Sequence, residues 1–416
     1  MSNLIVKAEF SIRGIPNQGL TCYLASAIVS LCSLDDFLEF LIDFAKKNQS
    51  VSNNEKYNLF FRFVKLVESW KVSSISESTF EFQIQNFFDA FFSSYLSMSI
   101  YKRYHFHDAS EFLIDFLCYL DESFIEVKRI HRDIQNSFIN ENNHEFYSIK
   151  NSFKISIKRR QICTLDNTHS KSETDTLMQI FLYIEDFETI EQCLDNYFSS
   201  TLIDQKLNCV HCNQFRKIQV AYKLESLSDN LIITFNRKKA SLDNQTKIMK
   251  FIRISKRLDF SKHFFCTENV FEDYFDLKAI VFHGGNKIED GHFTSLVRYK
   301  KTDSWIFLND EHELLVSDMD TFIWQNRVNY QIYLLIYSRS ENNEFKQIAL
   351  HSPKKDKSLK EALNKKETDN INSSNLNVDV EMKRSKTSES LMMIDSENED
   401  NFIREMTDFT PGIDKN

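Results

Sequence analysis

The sequence predicts an α+β fold with helices first and an antiparallel sheet later, and three observations carry that prediction. Apolar residues recur at helical spacing through the first third of the chain, and after about residue 150 the period changes, with alternation at 217–224 and apolar strand-like runs beyond it. Of the 416 residues, 42% are apolar and 13% aromatic, enough for a sizeable core and too much for wholesale disorder. The glycines and proline before residue 339 are Gly14, Pro16, Gly19, Gly284, Gly285 and Gly291, so special backbone geometry is expected in just two windows, 14–19 and 284–291.

Residues 1–13 read as a short lead-in. From Cys22 to about Ala45, Leu24, Ile28 and Leu31 and then Phe37, Leu41 and Phe44 mark two helices, with Thr21 as a cap for the first and Asp35 or Asp36 for the second. Residues 55–100 repeat an aromatic-rich helical pattern. At 108–127 a helix opens with Asp108 and Glu111 spaced as a capping box, and Phe112, Phe116, Leu117 and Leu120 form its buried stripe. Strands are expected at 217–224, with Ile218, Val220, Tyr222 and Leu224 on one face, and at 231–235, 277–282, 293–299, 305–309 and 332–337. From about 339 the chain turns polar, with three aromatics in 78 residues, and the segment 339–416 is expected to be a disordered tail.

Composition also excludes classes. Lys+Arg is 51 against 60 for Asp+Glu, a net charge of −9 that argues against a mainly nucleic-acid-binding protein. The longest uncharged apolar-rich stretch, Cys22 to Leu34, is shorter than the ~20 residues of a membrane span. The N-terminus lacks the pattern of a signal peptide. Eight cysteines are too sparse for a disulfide framework and read as reduced thiols in cytoplasm or nucleus.

The two glycine windows also hold the candidate chemistry. In GIPNQGLTCYLASAIVSL, a loop delivers Cys22 to the start of an apolar helix, where the positive end of the helix dipole favours a thiolate. Asn17 is placed to donate its amide to an oxyanion forming beside that sulfur. In the second window Gly291 precedes His292, the candidate general base, and Asp310 follows at the end of a neighbouring strand as the acceptor that orients its imidazole. Cys32 and Cys118 read as buried helical cysteines, and His283 as a hydrogen-bonded structural histidine.

These segments resemble the ubiquitin-specific proteases, papain-like cysteine hydrolases that cleave after ubiquitin's C-terminal glycine. Gly14, Asn17, Gly19, Thr21, Cys22, Tyr23 and Ser26 match the family's cysteine box, and Asp108, Ala109, Glu111, Phe112 and Leu113 its Q-Q-D-A-x-E-F-L segment. Gly291, His292, Phe293, Trp305, Leu308 and Asp310 resemble its histidine box, and QIYLLIY its closing strand. Leu20 and Ala25 replace two asparagines, Val29 the usual glutamine, and His107 a glutamine before Asp108. The resemblance implies a papain-like fold over 14–338, with a helical thumb at about 14–150, β fingers at about 151–273 and a β-sheet palm at about 274–338. It also implies ubiquitin or ubiquitinated proteins as partners, Cys22, His292, Asp310 and Asn17 as the catalytic set, and contacts from Asp108 and Glu111 to ubiquitin's basic tail. The alternatives are a silent ubiquitin-binding scaffold and a hydrolase of another ubiquitin-like modifier.

The family often carries a zinc ribbon of two C-x-x-C pairs in its fingers. Cys209 and Cys212 supply one pair, but Cys163 is followed by Asp166 where the second cysteine would stand. The expectation is a degenerate ribbon without tight metal and no cofactor, the alternative being a three-thiolate site completed by Asp166 or His169.

Overall fold

The structure is a computed structural model that describes residues 12–340 except 53, 55–56, 72–74, 94–96, 136–147, 210, 240–245, 265–272 and 300–303. Most of the lead-in and the polar tail from 341 onward lie outside the described residues. The helical period of the first third becomes α1 (Cys22–Leu31), α2 (Asp35–Lys47), α3 (Asn58–Lys71), α4 (Glu77–Phe92) and α5 (Ala109–Gln135). Phenylalanine fills the space between them. Phe60, Phe63, Phe87, Phe112 and Phe116 are fully buried, with Phe63 meeting Phe116 edge to face at 5.0 Å. Truncating one such ring to alanine costs about 3–5 kcal/mol.

Every residue of α1 is buried, because this uncharged helix is wedged between α5 and the later strands. Its cap differs from expectation. Thr21 holds the N-cap position, but its hydroxyl accepts from the Gln18 N–H and faces Asn17 Oδ1, so no side chain caps the helix. Leu34 precedes α2, and Asp35 and Asp36 lie in its first turn, where the helix dipole favours acids. Asp108 does cap α5, accepting from the N–H groups of Ser110 and Glu111 at 2.8 and 3.1 Å.

After residue 150 the described strands are β1 (Ile155–Cys163), β2 (Ser170–Leu177), β3 (Gln179–Tyr183), β4 (Ser200–Cys209), β5 (Gln214–Leu227), β6 (Asn230–Asn236), β7 (Lys238–Lys239), β8 (Thr246–Lys247), β9 (Arg257–Asp259), β10 (Tyr274–Gly284), β11 (His292–Tyr299), β12 (Ser304–Asn309), β13 (His312–Val316) and β14 (Tyr330–Arg339), with α6 (Ile190–Tyr197) after β3 and α7 (Met319–Asn326) after β13. One antiparallel sheet has the order β2-β1-β5-β4, and Ile218, Val220 and Leu224 are buried in β5 while Tyr222 is half-buried. The larger sheet runs β13-β12-β11-β10-β14-β6-β3, with β9 also on β10. It departs from the antiparallel expectation at one place: β3 lies parallel to β6. The chain between them passes through α6 and two strands of the other sheet, the long detour that a parallel pair needs. Against the larger sheet, α1 packs on β10 and β11, which fixes the start of α1 beside the start of β11.

Candidate active site

The loop before α1 is held by close backbone approach. A Cβ on Gly14 would stand 2.2 Å from the Asp310 carbonyl oxygen, and the Gly14 N–H donates to Glu313 Oε1 at 3.0 Å. The Cys22 segment is thereby tied to the β12–β13 hairpin before any side chain of the site is placed. Asn17 Oδ1 accepts from the Thr21 N–H at 3.0 Å, and its Nδ2 donates to Asp310 Oδ2 at 3.3 Å. Leu20 takes φ +60° and is 44% exposed. The family's asparagine at that position tolerates the left-handed region better than leucine does, so the replacement carries strain of about 1–2 kcal/mol. Cys22 then opens α1, 2% exposed.

His292 opens β11, opposite Gly284 on β10. Gly291 allows this: a Cβ there would stand 2.2 Å from Gly284 O and 2.7 Å from His283 Nε2. The imidazole lies beside Cys22, close enough for the sulfur to act on its charge, while its Nε2 lies 2.6 Å from Asn309 Oδ1 and 3.8 Å from Asp310 Oδ2. Asp310 was the expected acceptor; Asn309 is the residue that fills that place. The reason is strand parity. Ser295 pairs with Leu308, so Asn309 stands across from Thr294 and diagonal to His292 on the same face of the sheet. Asp310 has left the strand, with φ +52° in the hairpin turn, and its carboxylate reaches round to Asn17. Burial alone lowers the His292 pKa, but the Cys22 sulfur, Asp310 and Asn309 together raise it to about 9. The Asp310 carboxyl is pushed up by burial, against the opposing pull of His292 and Asn17.

The acidic pair at the start of α5 separates into two situations. Asp108 spends Oδ1 on its cap and accepts the Tyr333 hydroxyl on Oδ2, which latches α5 to β14. Glu111 is exposed. Nearby, Phe106 stacks on Phe293 with centroids 5.6 Å apart. His283 is 1% exposed, and neither ring nitrogen has a partner among the described residues, so the hydrogen bond expected of it is not made. Burial, reinforced by Lys247 and Arg237, pushes its pKa down to about 3. Cys32 is buried and Cys118 half-buried.

A second cluster lies at the tips of two neighbouring hairpins. Cys163 ends β1 and His169 immediately precedes β2, joined by the Cys163 N–H donating to His169 O at 2.9 Å. Cys209 ends β4, and Cys212 sits in the turn before β5. One ligand atom from each of the four residues lies within 4.8 Å of the others. Three thiols and an imidazole suit a tetrahedral zinc-class ion. His169 Nδ1 is buried without a partner, while its Nε2 faces Asp166 Oδ2 at 3.6 Å. A carboxylate behind a ligating histidine is the usual outer-shell arrangement. Led by the Cys212 backbone N–H and opposed by burial, neighbouring groups hold the Cys209 thiol down at about 6. The donor set therefore fits a metal, with His169 rather than Asp166 among the donors.

Known proteins resemble this chain in sequence and in fold. Ubiquitin carboxyl-terminal hydrolase 20 of Arabidopsis thaliana is 24% identical over 344 residues, covering 80% of this chain and 44% of that protein. Ubiquitin carboxyl-terminal hydrolase 21 of the same plant is 24% identical over 334 residues, covering 78% and 42%. The chain thus spans less than half the length of these relatives. Among solved structures, the SAGA Ubp8/Sgf11/Sus1/Sgf73 DUB module bound to ubiquitin aldehyde aligns with TM-score 0.67 and 18% identity, over 82% of this chain and 72% of that one. That likeness supports the papain-like fold. Family membership rests on sequence: the ubiquitin carboxyl-terminal hydrolase model matches residues 13–337, most of the chain, and the chain belongs to that family.

Proposed function

We propose that this chain is a thiol hydrolase that cleaves the bond after the C-terminal glycine of ubiquitin on protein conjugates, in the cytoplasm or nucleus. The observation that carries the reading is the contact between Cys22, at an uncapped helix start, and His292, whose far nitrogen is held by Asn309. With Nε2 on Asn309, Nδ1 is the nitrogen left for the sulfur. Cys22 Sγ attacks the carbonyl carbon of the scissile amide, and the carbonyl oxygen takes the negative charge. Asn17 has one amide hydrogen on Asp310 and a second to offer this oxygen, beside the uncapped N–H groups of α1. One such donor contributes about 3 kcal/mol in other hydrolases. Protonated His292 gives its proton to the leaving lysine amine, the C–N bond breaks, and a thioester remains. Neutral His292 then takes a proton from water, whose oxygen attacks the thioester and releases the ubiquitin carboxylate with Cys22 as thiolate.

In this reading Asn309 and Asp310 divide the work expected of one acid. Asn309 fixes the tautomer and orientation of the imidazole, while Asp310 supplies charge and holds Asn17. Glu111 is the carboxylate left to meet the basic tail of ubiquitin, with Asp108 acting as the latch beneath it. A structural role for metal accompanies this: Cys163, His169, Cys209 and Cys212 would hold a zinc-class ion that cross-links the two hairpin tips. Among the described residues no helix is long and apolar enough to cross a membrane.

The deciding experiment is incubation with ubiquitin bearing an electrophilic C-terminus. A stoichiometric covalent adduct on Cys22 is expected. Reversible ubiquitin binding with no adduct would replace the hydrolase by a binding scaffold, and an adduct formed only with another ubiquitin-like modifier would change the substrate.

A further inference from the structure

Two cations stand buried behind the strand end that carries His292. Arg237 is 1% exposed and Lys247 7% exposed, and the hydrogen bonds of both, among the described residues, run to backbone carbonyls. Burial pushes Arg237 down to about 9, and burial with Arg237 as neighbour pushes Lys247 down to about 7. A buried cation without a carboxylate is costly. Apolar side chains would fill the same space without that cost.

The carbonyls they hold suggest what the cost maintains. Lys247 Nζ donates to His283 O at 2.8 Å and to Gly285 O at 2.7 Å. These two residues flank Gly284, the partner of His292 across the β10–β11 ladder. Arg237 secures the other end of the device. Its Nε donates to Ile332 O on β14 at 2.6 Å, and its Nη1 to Ile248 O and Lys250 O at 2.7 and 3.0 Å. The segment carrying Lys247 is thus anchored to β14 by Arg237, and Lys247 grips the end of β10 from it. That end needs gripping, because Gly284 and Gly285 are consecutive glycines, Gly285 at φ +96°, with maximal freedom to lose.

We propose that Lys247 is a positioning residue for His292: its ammonium pins the carbonyls on either side of Gly284, which closes the last rung of the β10–β11 ladder and holds the imidazole between Cys22 and Asn309. Arg237 is the anchor of this clamp. Neither cation touches the reacting atoms. The rate prediction rests on the proposed hydrolysis; the geometric prediction does not.

The test compares full-length wild type with Lys247→Met and Lys247→Gln. For each, kcat and KM are measured on a ubiquitin C-terminal amide, with ubiquitin affinity, melting temperature and the nitrogen resonances of the His292 ring. Lys247→Met should lower kcat about 100-fold with KM changed less than about three-fold, the signature of a misplaced group rather than lost binding. The His292 signals should shift in the same variant. Lys247→Gln, which keeps N–H donors without the charge, should fall between the two and decides the matter if Lys247→Met fails to fold. A fall in melting temperature with kcat and the His292 signals unchanged would overturn the clamp. If wild type itself does not turn over substrate, the hydrolase reading fails, and the His292 signals in Lys247→Gln still decide whether the clamp exists.

Discussion

The cleft at the start of α1 and the hairpin tips of the four-stranded sheet are built from the same residue types, and they are organised in opposite ways. In the cleft, Cys22 and His292 face each other as a pair, and each is held from behind by groups that do not converge on a common point: Asn309 on the imidazole, Asp310 on Asn17, and Glu313 on Gly14. At the hairpin tips, Cys163, His169, Cys209 and Cys212 bring one atom each to the same spot, within 4.8 Å of one another. The first arrangement can pass a proton along a line. The second suits several donors sharing one cation. Cysteine and histidine content alone cannot separate these uses; the direction in which the supporting groups point does.

The largest expected effect sharpens the catalytic half. Cys22→Ala should lower cleavage of a ubiquitin C-terminal amide by on the order of 10⁴-fold or more while leaving ubiquitin binding intact, and His292→Ala should do nearly the same. Substantial turnover by Cys22→Ala in a discontinuous product assay would break the comparison outright. Cys209→Ser, by contrast, should spare the chemistry and strike stability. If the tips share a metal, elemental analysis should find about one zinc per wild-type chain. Chelation or Cys209→Ser should then remove the zinc and lower the melting temperature, since structural zinc contributes about 10 kcal/mol or more to isolated finger peptides. Zinc well below stoichiometry, with a melting temperature indifferent to chelator, would return the site to a degenerate ribbon.

A finer test divides the labour between Asn309 and Asp310. Asn309→Ala should cost about 100-fold in kcat through loss of imidazole orientation. Because the Asn309 hydrogen bond helps to raise His292 to about 9, its loss should also move the alkaline limb of the pH–rate profile downward. Asp310→Asn should lower that limb as well by removing charge. Equal rates and unmoved limbs in Asn309→Ala would restore Asp310 as the orienting group. The smallest effect concerns strain: Leu20→Asn should raise stability by about 1 kcal/mol by relieving a branched apolar residue at φ +60°. A melting curve that does not move would show the loop relaxed with leucine in place.

What the sequence determined by itself was whatever local spacing encodes. The helical stripes, the apolar strands, and the placing of one cysteine at a helix start and one histidine at a strand start each rest on residues a few positions apart, while their pairing rested on the family resemblance. The glycine windows were legible for the same reason, and Gly14 and Gly291 do stand against backbone where a side chain has no room. The tertiary structure decided what depends on register and on turns. Asn309 rather than Asp310 makes the hydrogen bond to His292 because strand parity and a left-handed hairpin residue, not proximity in sequence, set which side chain faces it. His169 joins three thiols although its spacing from Cys163 matches no C-x-x-C pair, because the β1–β2 hairpin folds it back beside Cys163. The cations under Gly284 carry no local signal: Arg237 and Lys247 find their partners only where β10, β14 and the segment at 248–250 come together. Hydrophobic period is a property of neighbours along the chain, whereas a hydrogen-bond partner across a sheet is chosen only when distant segments have taken their register.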